Sequence, residues 1–280
     1  MAELLKLSND ELRELQLCEL EALKFFDNFC RNHDLTYYLC GGCLIGAVRH
    51  KGFIPWDDDT DVLMPRPDYE KFLELYKKEN PSERFVLVND DDVHYSGNIF
   101  ATLNDTDHTM VKEYQQDMDT PHGIPLDIFP IDGLADGRIQ RIIQYMWVMI
   151  YSLFRAQIVP KNQGGLIAFG SKVLLTLFRG RRLRYKIWKF AEKRMTRYHF
   201  DESENVAEFC AGFYFMKKVY PRHIYDGKVE LDFEGEKFFA MKGYDEYLHI
   251  PFGDYMELPP EEERLPHHDI VKLELHKKCR

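Results

Sequence analysis

The chain offers no apolar run long enough to cross a bilayer. Tyr145 to Phe154 is largely apolar for ten residues but is bounded by Gln144, Arg155 and Gln157, short of the roughly 20 residues that a spanning helix needs. Met1 to Asp10 carries no basic region followed by an apolar stretch, so no signal peptide is expected. Cysteine is scarce: six residues, at 18, 30, 40, 43, 210 and 279, are too few and too irregular for a disulfide framework, and a reducing compartment is expected. Cys40-Gly41-Gly42-Cys43 has the C-x-x-C form, but no second such pair and no Cys/His pair of finger spacing completes a zinc site. What is present is a folded composition. The 280 residues are 45% hydrophobic and 14% aromatic, enough to bury the core of one elaborated domain or two small ones.

Charge is unevenly spread. The formal net charge is −10, yet Arg138 to His199 holds 14 Lys/Arg against one acid, Glu192, a local +13. The remainder holds 23 basic and 46 acidic residues, or −23. An acidic body with a basic segment points to an anionic partner: a phospholipid surface, a polyanionic glycan or nucleic acid.

The densest chemistry lies between Tyr38 and Met64. A short β-branched and aromatic run, Thr36 to Cys40, ends at Gly41-Gly42, and Cys43 to His50 follows as a helix of about two turns. A strand, a glycine turn and a helix start present free backbone N–H groups and a positive dipole end, which suits phosphate. Two glycines also serve purely steric ends. Lys51 to Trp56 then delivers Asp57, Asp59 and Asp61, whose spacing by two puts them on one face if the strand begins early enough. Such a carboxylate cluster favours a hard divalent cation, Mg²⁺ or Mn²⁺. Far along the chain, Asp127 sits inside the apolar run Leu126 to Ile131. It either faces solvent on an edge strand or stands beside the Asp59 strand as a third ligand or a base.

The rest of the chain reads as framework. Ser8-Asn9-Asp10-Glu11 is a capping box opening a long amphipathic helix to Asp34. Pro65 to Asp68 starts a helix with Tyr69, Phe72, Leu73 and Tyr76 on its buried side. Arg84–Val88, Asn98–Leu103 and Phe209–Phe215 read as strands, and Val229–Phe233 with Lys237–Met241 as a hairpin. Asp90-Asp91-Asp92 reads as a solvated turn, and Asp58 as facing away from its neighbours. The paired His267 and His268 give no local reason to be ligands. Residues 138–199 read as helical with a break at Pro160 to Gly165, and Leu166 to Arg197 mixes apolar and basic residues. That mixture suits a helix in a membrane interface, or a helical subdomain with a solvated basic face.

Gly41 to His50, continuing through Gly52-Phe53-Ile54-Pro55-Trp56-Asp57-Asp58-Asp59-Thr60-Asp61-Val62, closely resembles the LicD family, whose relatives include the fukutins. Asp68-Tyr69-Glu70, Leu126-Asp127-Ile128-Phe129-Pro130, Gly253-Asp254-Tyr255-Met256, Pro259-Pro260 and Arg264 extend the likeness over nearly the whole chain, most weakly in the basic helices. The resemblance implies an α+β nucleotidyltransferase-like fold of the polymerase-β superfamily: a mixed sheet flanked by helices, with a basic helical insertion. The implied division is a catalytic core at 1–137, the insertion at 138–200 and a completing C-terminal part at 201–280. Asp59 and Asp61 match the family's D-x-D metal pair, Asp127 its third carboxylate, and Asp57 a further motif acid. Cys43 stands where Ser or Thr is usual, which puts a side-chain phosphate contact in doubt and leaves the amides of Gly41, Gly42 and Cys43.

The resemblance further implies an enzyme that moves phosphocholine from CDP-choline to a hydroxyl of a cell-surface glycan of teichoic acid, lipopolysaccharide or capsule type, with Mg²⁺ and release of CMP. Asp127 or Asp57 is the candidate base, Arg49 is a candidate for neutralising the donor pyrophosphate, and Trp56 either lies over the choline cation or belongs to the core. A lipid-linked acceptor gives the basic helices a reason to sit peripherally on the inner face of the cell membrane, with no nucleic-acid partner. One alternative is another CDP-alcohol donor such as CDP-ribitol. A second is a non-catalytic, membrane-associated glycan-binding protein.

Overall fold

A computed structural model describes residues 4–159, 164–266, 268–276 and 278–279. Its elements run in order α1 (Asn9–Asn32), β1 (Tyr38–Leu39), α2 (Gly41–Arg49), β2 (Asp61–Pro65), α3 (Arg66–Glu79), β3 (Phe85–Val88), β4 (Ala101–Asp105), β5 (Thr109–Lys112), β6 (Ile124–Gly133) and α4 (Arg138–Ala156). There follow α5 (Gly165–Leu177), α6 (Arg181–Met195), β7 (Asn205–Ala207), α7 (Gly212–Phe215), β8 (Tyr220–Pro221), β9 (Lys228–Phe233), β10 (Glu236–Met241), α8 (Tyr244–Phe252) and β11 (Ile270–Glu274).

The central sheet has the strand order β1-β2-β6-β4-β3. The pair β2–β6 is parallel and its neighbours are antiparallel, so the sheet is mixed, and helices flank it. The far end of β6 pairs with β7, which pairs with β8. α1 begins as the capping box dictates: Ser8 Oγ accepts from the Glu11 N–H at 3.3 Å, and the Ser8 N–H donates to Glu11 Oε2 at 2.8 Å. Its Leu23 and Phe26 are fully buried in the core with Leu39, Leu63, Phe72 and Ile128, and its Leu15 in a second cluster with Met110, Ile124 and Ile270. Across the sheet's interior, Arg66 holds Asp132 through two 2.7 Å hydrogen bonds.

Several devices fix the loop that carries the acids. The hairpin of β9 and β10 turns at Glu234 (φ 53°) and Gly235 (φ 81°), the left-handed pair that a two-residue hairpin loop requires. The Glu234 side chain accepts from the Phe53 N–H at 3.1 Å and from Arg13 Nη1 at 3.1 Å. From α1, Gln16 Nε2 donates to the carbonyls of Ile54 (3.2 Å) and Asp57 (3.0 Å). The loop is thus clamped from two sides. The basic segment is held similarly, since Gln144 Nε2 donates to the carbonyls of Gly133 (2.9 Å) and Met195 (2.8 Å).

Some sequence expectations are corrected. β2 begins at Asp61, so Asp57 and Asp59 lie on the approach to the strand and not in its alternation. α2 starts at the glycines themselves. The strand expected at Phe209–Phe215 lies earlier, at Asn205–Ala207, and residues 212–215 form a helical turn. The antiparallel pair β5–β11 was not expected at all. It carries the C-terminal segment back to α1, where Cys18 and Cys279 form a disulfide with a Cα–Cα distance of 5.0 Å. One bridge is no framework, but it departs from a chain of reduced thiols. Part of the break expected at Pro160 to Gly165, Pro160–Gln163, lies outside the described residues, as does His267.

Candidate active site

The site forms where three backbone facts coincide. β2 and β6 are adjacent and parallel, with Asp61 opposite Asp127, so their side chains leave the sheet on the same face. The Asp127 N–H donates to the Thr60 carbonyl at 2.9 Å, which continues the ladder into the acidic approach. The third fact is the glycine turn. Gly41 has φ +51°, and a Cβ there would stand 3.6 Å from Asp61 Oδ2. At Gly42 a Cβ would fall 2.2 Å from Asp57 Oδ2. The carboxylates of Asp57 and Asp61 therefore lie directly against the start of α2, where free N–H groups and the helix dipole favour negative charge.

Cys43 works as a latch. Its Sγ accepts from the Asp61 N–H at 3.4 Å and lies 3.9 Å from the Asp59 carbonyl, to which the thiol donates. Burial, with Asp61 and Asp57 beside it, pushes this thiol well above its ordinary pKa, so it remains a protonated donor. Cys40, also buried and pushed up by burial and then Asp61, is likewise a packed thiol. The two form neither a disulfide nor, among the described residues, a metal group.

Electrostatically the cluster is incomplete. Burial raises the carboxyl pKa of Asp57, with Asp59 and Asp58 adding to it. Burial raises Asp61 too, reinforced by Asp59 and Asp127, and it raises Asp59 although His268 and Lys112 pull that group back. Four carboxylate oxygens, Asp57 Oδ2, Asp61 Oδ1, Asp127 Oδ1 and Glu19 Oε1, are buried without a hydrogen-bond partner. Buried acceptors left so are costly. Oxygen donors of this kind suit a hard divalent cation, so the residue types fit the group that the sequence pattern called for, although Asp59, Asp61 and Asp127 are not among the described groups whose ligand atoms all lie within 4.8 Å of one another.

Three participants were not expected. Glu19, on the buried face of α1, is 1% exposed. Burial and then Asp59, Asp58 and Asp57 drive its pKa well up. A glutamate in register with Leu15, Ala22 and Leu23 was the available signal. Lys112, at the end of β5, puts Nζ 3.8 Å from Asp127 Oδ2; burial opposes its charge, but Asp127 and its neighbours hold its pKa above normal. His268 accompanies Asp58, which is buried: the His268 N–H donates to Asp58 Oδ2 at 3.1 Å, and the ring Nδ1 is 3.1 Å from Oδ1. Ligand atoms of Asp58, Asp59 and His268 lie within 4.8 Å of one another. Only the β5–β11 pairing brings Lys112 and His268 here, and neither strand announced itself by alternation.

Arg49 takes a different place. Its Nη1 donates to the carbonyls of Tyr255 (2.7 Å) and Glu257 (3.1 Å), tying the end of α2 to the loop after α8, and burial followed by Arg264 lowers its pKa. Trp56 packs against the core with the Arg264 guanidinium 5.5 Å from its ring centroid. The packing agrees with the core reading, and the ring also carries a cation from its own chain, which neither reading expected.

The family model described as "LicD/FKTN/FKRP, nucleotidyltransferase domain" matches residues 34–134, the span from the end of α1 through β6. Over 266 residues the chain is 31% identical to the lipopolysaccharide cholinephosphotransferase LicD of Haemophilus influenzae, covering 92% of this chain and 96% of that protein. The chain belongs to the LicD family. An uncharacterized protein of Rickettsia typhi is 32% identical over 75 residues, 25% of this chain and 24% of its own length. For a LicD-family chain, the conjunction of α2, β2 and β6 within the matched span makes the Gly41–Gly42 turn and its carboxylates the site to interpret.

Proposed function

We propose that this protein transfers phosphocholine from CDP-choline to a hydroxyl of a cell-surface glycan of teichoic acid, lipopolysaccharide or capsule type, releasing CMP. On this reading the sheet and α2 form a nucleotidyltransferase core of the polymerase-β kind, with the division at about residues 137 and 200 given by the sequence. The observation that carries it is that Asp57 and Asp61 lie against the glycine-started helix while Asp57, Asp61 and Asp127 each keep a buried carboxylate oxygen without a partner. The H. influenzae relative, a lipopolysaccharide cholinephosphotransferase by name, supports the donor group and the acceptor class.

Asp59, Asp61 and Asp127 would hold Mg²⁺ or Mn²⁺, which when bound supplies positive charge for the donor phosphates. The amides of Gly41, Gly42 and Cys43 at the start of α2 orient a phosphate oxygen. The acceptor hydroxyl oxygen forms the new bond to the choline-bearing phosphorus as the phosphorus–oxygen bond to CMP breaks, and CMP leaves with the electron pair. The hydroxyl proton passes to Asp127 or Asp57, both of which present an unpartnered oxygen. Lys112, fixed beside Asp127, limits the repulsion among the acids. Arg49 acts at a remove, by holding the end of α2 to residues 255–257.

No helix among the described residues is long and apolar enough to cross a membrane. We place the protein peripherally at the inner membrane face through α4 and α5. On α4, Ile139, Ile142 and Met146 are 71%, 63% and 49% exposed, an outward apolar stripe at helical spacing beside Arg138 and Arg141. On α5, Phe169 and Leu177 are 67% and 70% exposed. Arg184, by contrast, is engaged with the carbonyls of Leu175 and Phe178 and with Gln157, so it is a poor lipid ligand.

Incubation with CDP-choline, CDP-ribitol, CDP-glycerol and CDP-ethanolamine, scoring CMP, tests the donor. CDP-choline is expected to be cleaved fastest; preference for another member would replace the donor and keep the site. Absence of turnover with all four, with glycan binding retained, would favour the non-catalytic alternative.

A further inference from the structure

An unassigned cleft of about 850 Å³ lies between α3, β3, the 89–96 loop and α6, within the span of about 300–1,000 Å³ common to small-ligand sites. It shares Val88 and Thr120 with a small cavity that Asp127 lines. The cleft and the cavity at Asp127 thus adjoin at these two residues.

Its floor holds two buried polar groups with spare valence. Asp90, 6% exposed, accepts from the Ser96 N–H (2.9 Å) and hydroxyl (2.6 Å) through Oδ1, and its Oδ2 has no partner. The sequence had read this residue as part of a solvated turn. Arg155, 2% exposed, donates through Nη2 to Asn89 Oδ1 at 2.7 Å, and its Nε has no partner. One group lacks a donor and the other an acceptor. A hydroxyl is both, so a polyol with neighbouring hydroxyls satisfies the two at once. Tyr95, Tyr185 and Trp188 line the same cleft and offer aromatic surface to the apolar faces of a sugar ring. Six carboxylates against four Lys/Arg side chains line it, which disfavours a polyanion such as a nucleotide.

We infer that this cleft is the acceptor subsite and binds an uncharged saccharide unit through Asp90, Arg155 and the surrounding aromatic rings. The inference rests on the proposed transfer to a glycan and places its acceptor on the α3/α6 side of Asp127.

Saturation-transfer NMR of the full-length protein with a panel of methyl glycosides of hexoses and N-acetylhexosamines tests it. At least one glycoside is expected to bind the wild type, and to bind Asp61→Asn equally well. Its affinity should fall at least about tenfold in Asp90→Asn, the loss of one charge-assisted hydrogen bond, and in Tyr185→Ala, a change at the partly exposed wall. Circular dichroism verifies folding, and if Asp90→Asn does not fold, Tyr185→Ala decides. No glycoside bound by the wild type, or binding unchanged in the folded variants, would overturn the assignment. A wild type that binds a glycoside through these residues yet releases CMP from no CDP-alcohol would overturn the proposed reaction and leave the cleft standing.

Discussion

At the scale of single residues, Gly42 and Glu208 carry the sharpest consequences. Any side chain at Gly42 meets Asp57 Oδ2 at 2.2 Å, so Gly42→Ala must displace that carboxylate from the helix start. It should cost at least about 100-fold in CMP release, measurable on purified protein, while the helical position itself tolerates Ala. Wild-type turnover in Gly42→Ala would remove the turn from the chemistry. Glu208 is buried far from the acids' loop in sequence, and burial pushes its carboxyl up to about 7, with Tyr247 and Tyr220 offsetting part of the rise. A carboxyl that binds its proton more tightly when folded stabilises the fold at low pH. That contribution is complete below about 4.5 and is lost as pH rises through about 7, roughly 3 kcal/mol in all. The melting temperature should therefore decline between pH 5 and pH 8, and Glu208→Gln should flatten the decline.

At the scale of elements, local signals and long-range pairing contributed differently. The capping box of α1, the existence of α2 after a short strand and the β9–β10 hairpin were legible because each is specified within a few residues, although α2 takes in the two glycines that were read as a turn before it. Asp127 was legible only in part: its pattern allowed an edge strand or a place beside the Asp59 strand, the family resemblance favoured the second, and the strand pairing sets it opposite Asp61. β5 and β11 were not legible: each is five residues or fewer, and their pairing joins segments about 160 positions apart. Lys112 and His268 depend on that pairing, which is why the site's basic members escaped. Glu19 escaped for another reason, since a helical periodicity read for apolar residues passes over the acid among them. The same C-terminal return sets Cys18 against Cys279. Thiol titration of denatured, unreduced protein should find four free cysteines, and reduction should lower the melting temperature, a native bridge of this kind contributing about 2–5 kcal/mol. Six free thiols would show the bridge open.

At the scale of the whole molecule, the acid-bearing body and the basic helices divide the work. The body holds the proposed reaction site, the α3/α6 cleft lies between α3 of the body and α6 of the basic helices, and the stripe of α4 is exposed. Replacing Ile139 and Ile142 by Asp changes only exposed positions, so stability should move by no more than about 0.5 kcal/mol, while co-sedimentation with phosphatidylglycerol vesicles should be lost. Retained sedimentation would refute the membrane placement without touching the chemistry. In the proposed function the carboxylates near the Gly41–Gly42 turn form a divalent-cation site for phosphocholine transfer. It is tested most directly by CMP release from CDP-choline with a glycan acceptor, with and without Mg²⁺, in wild type, Asp61→Asn and Asp127→Asn. EDTA is expected to abolish release in the wild type and Mg²⁺ to restore it, and both folded variants are expected to release CMP at least about 1,000-fold more slowly. Metal-independent release, or variants as active as the wild type, would contradict it.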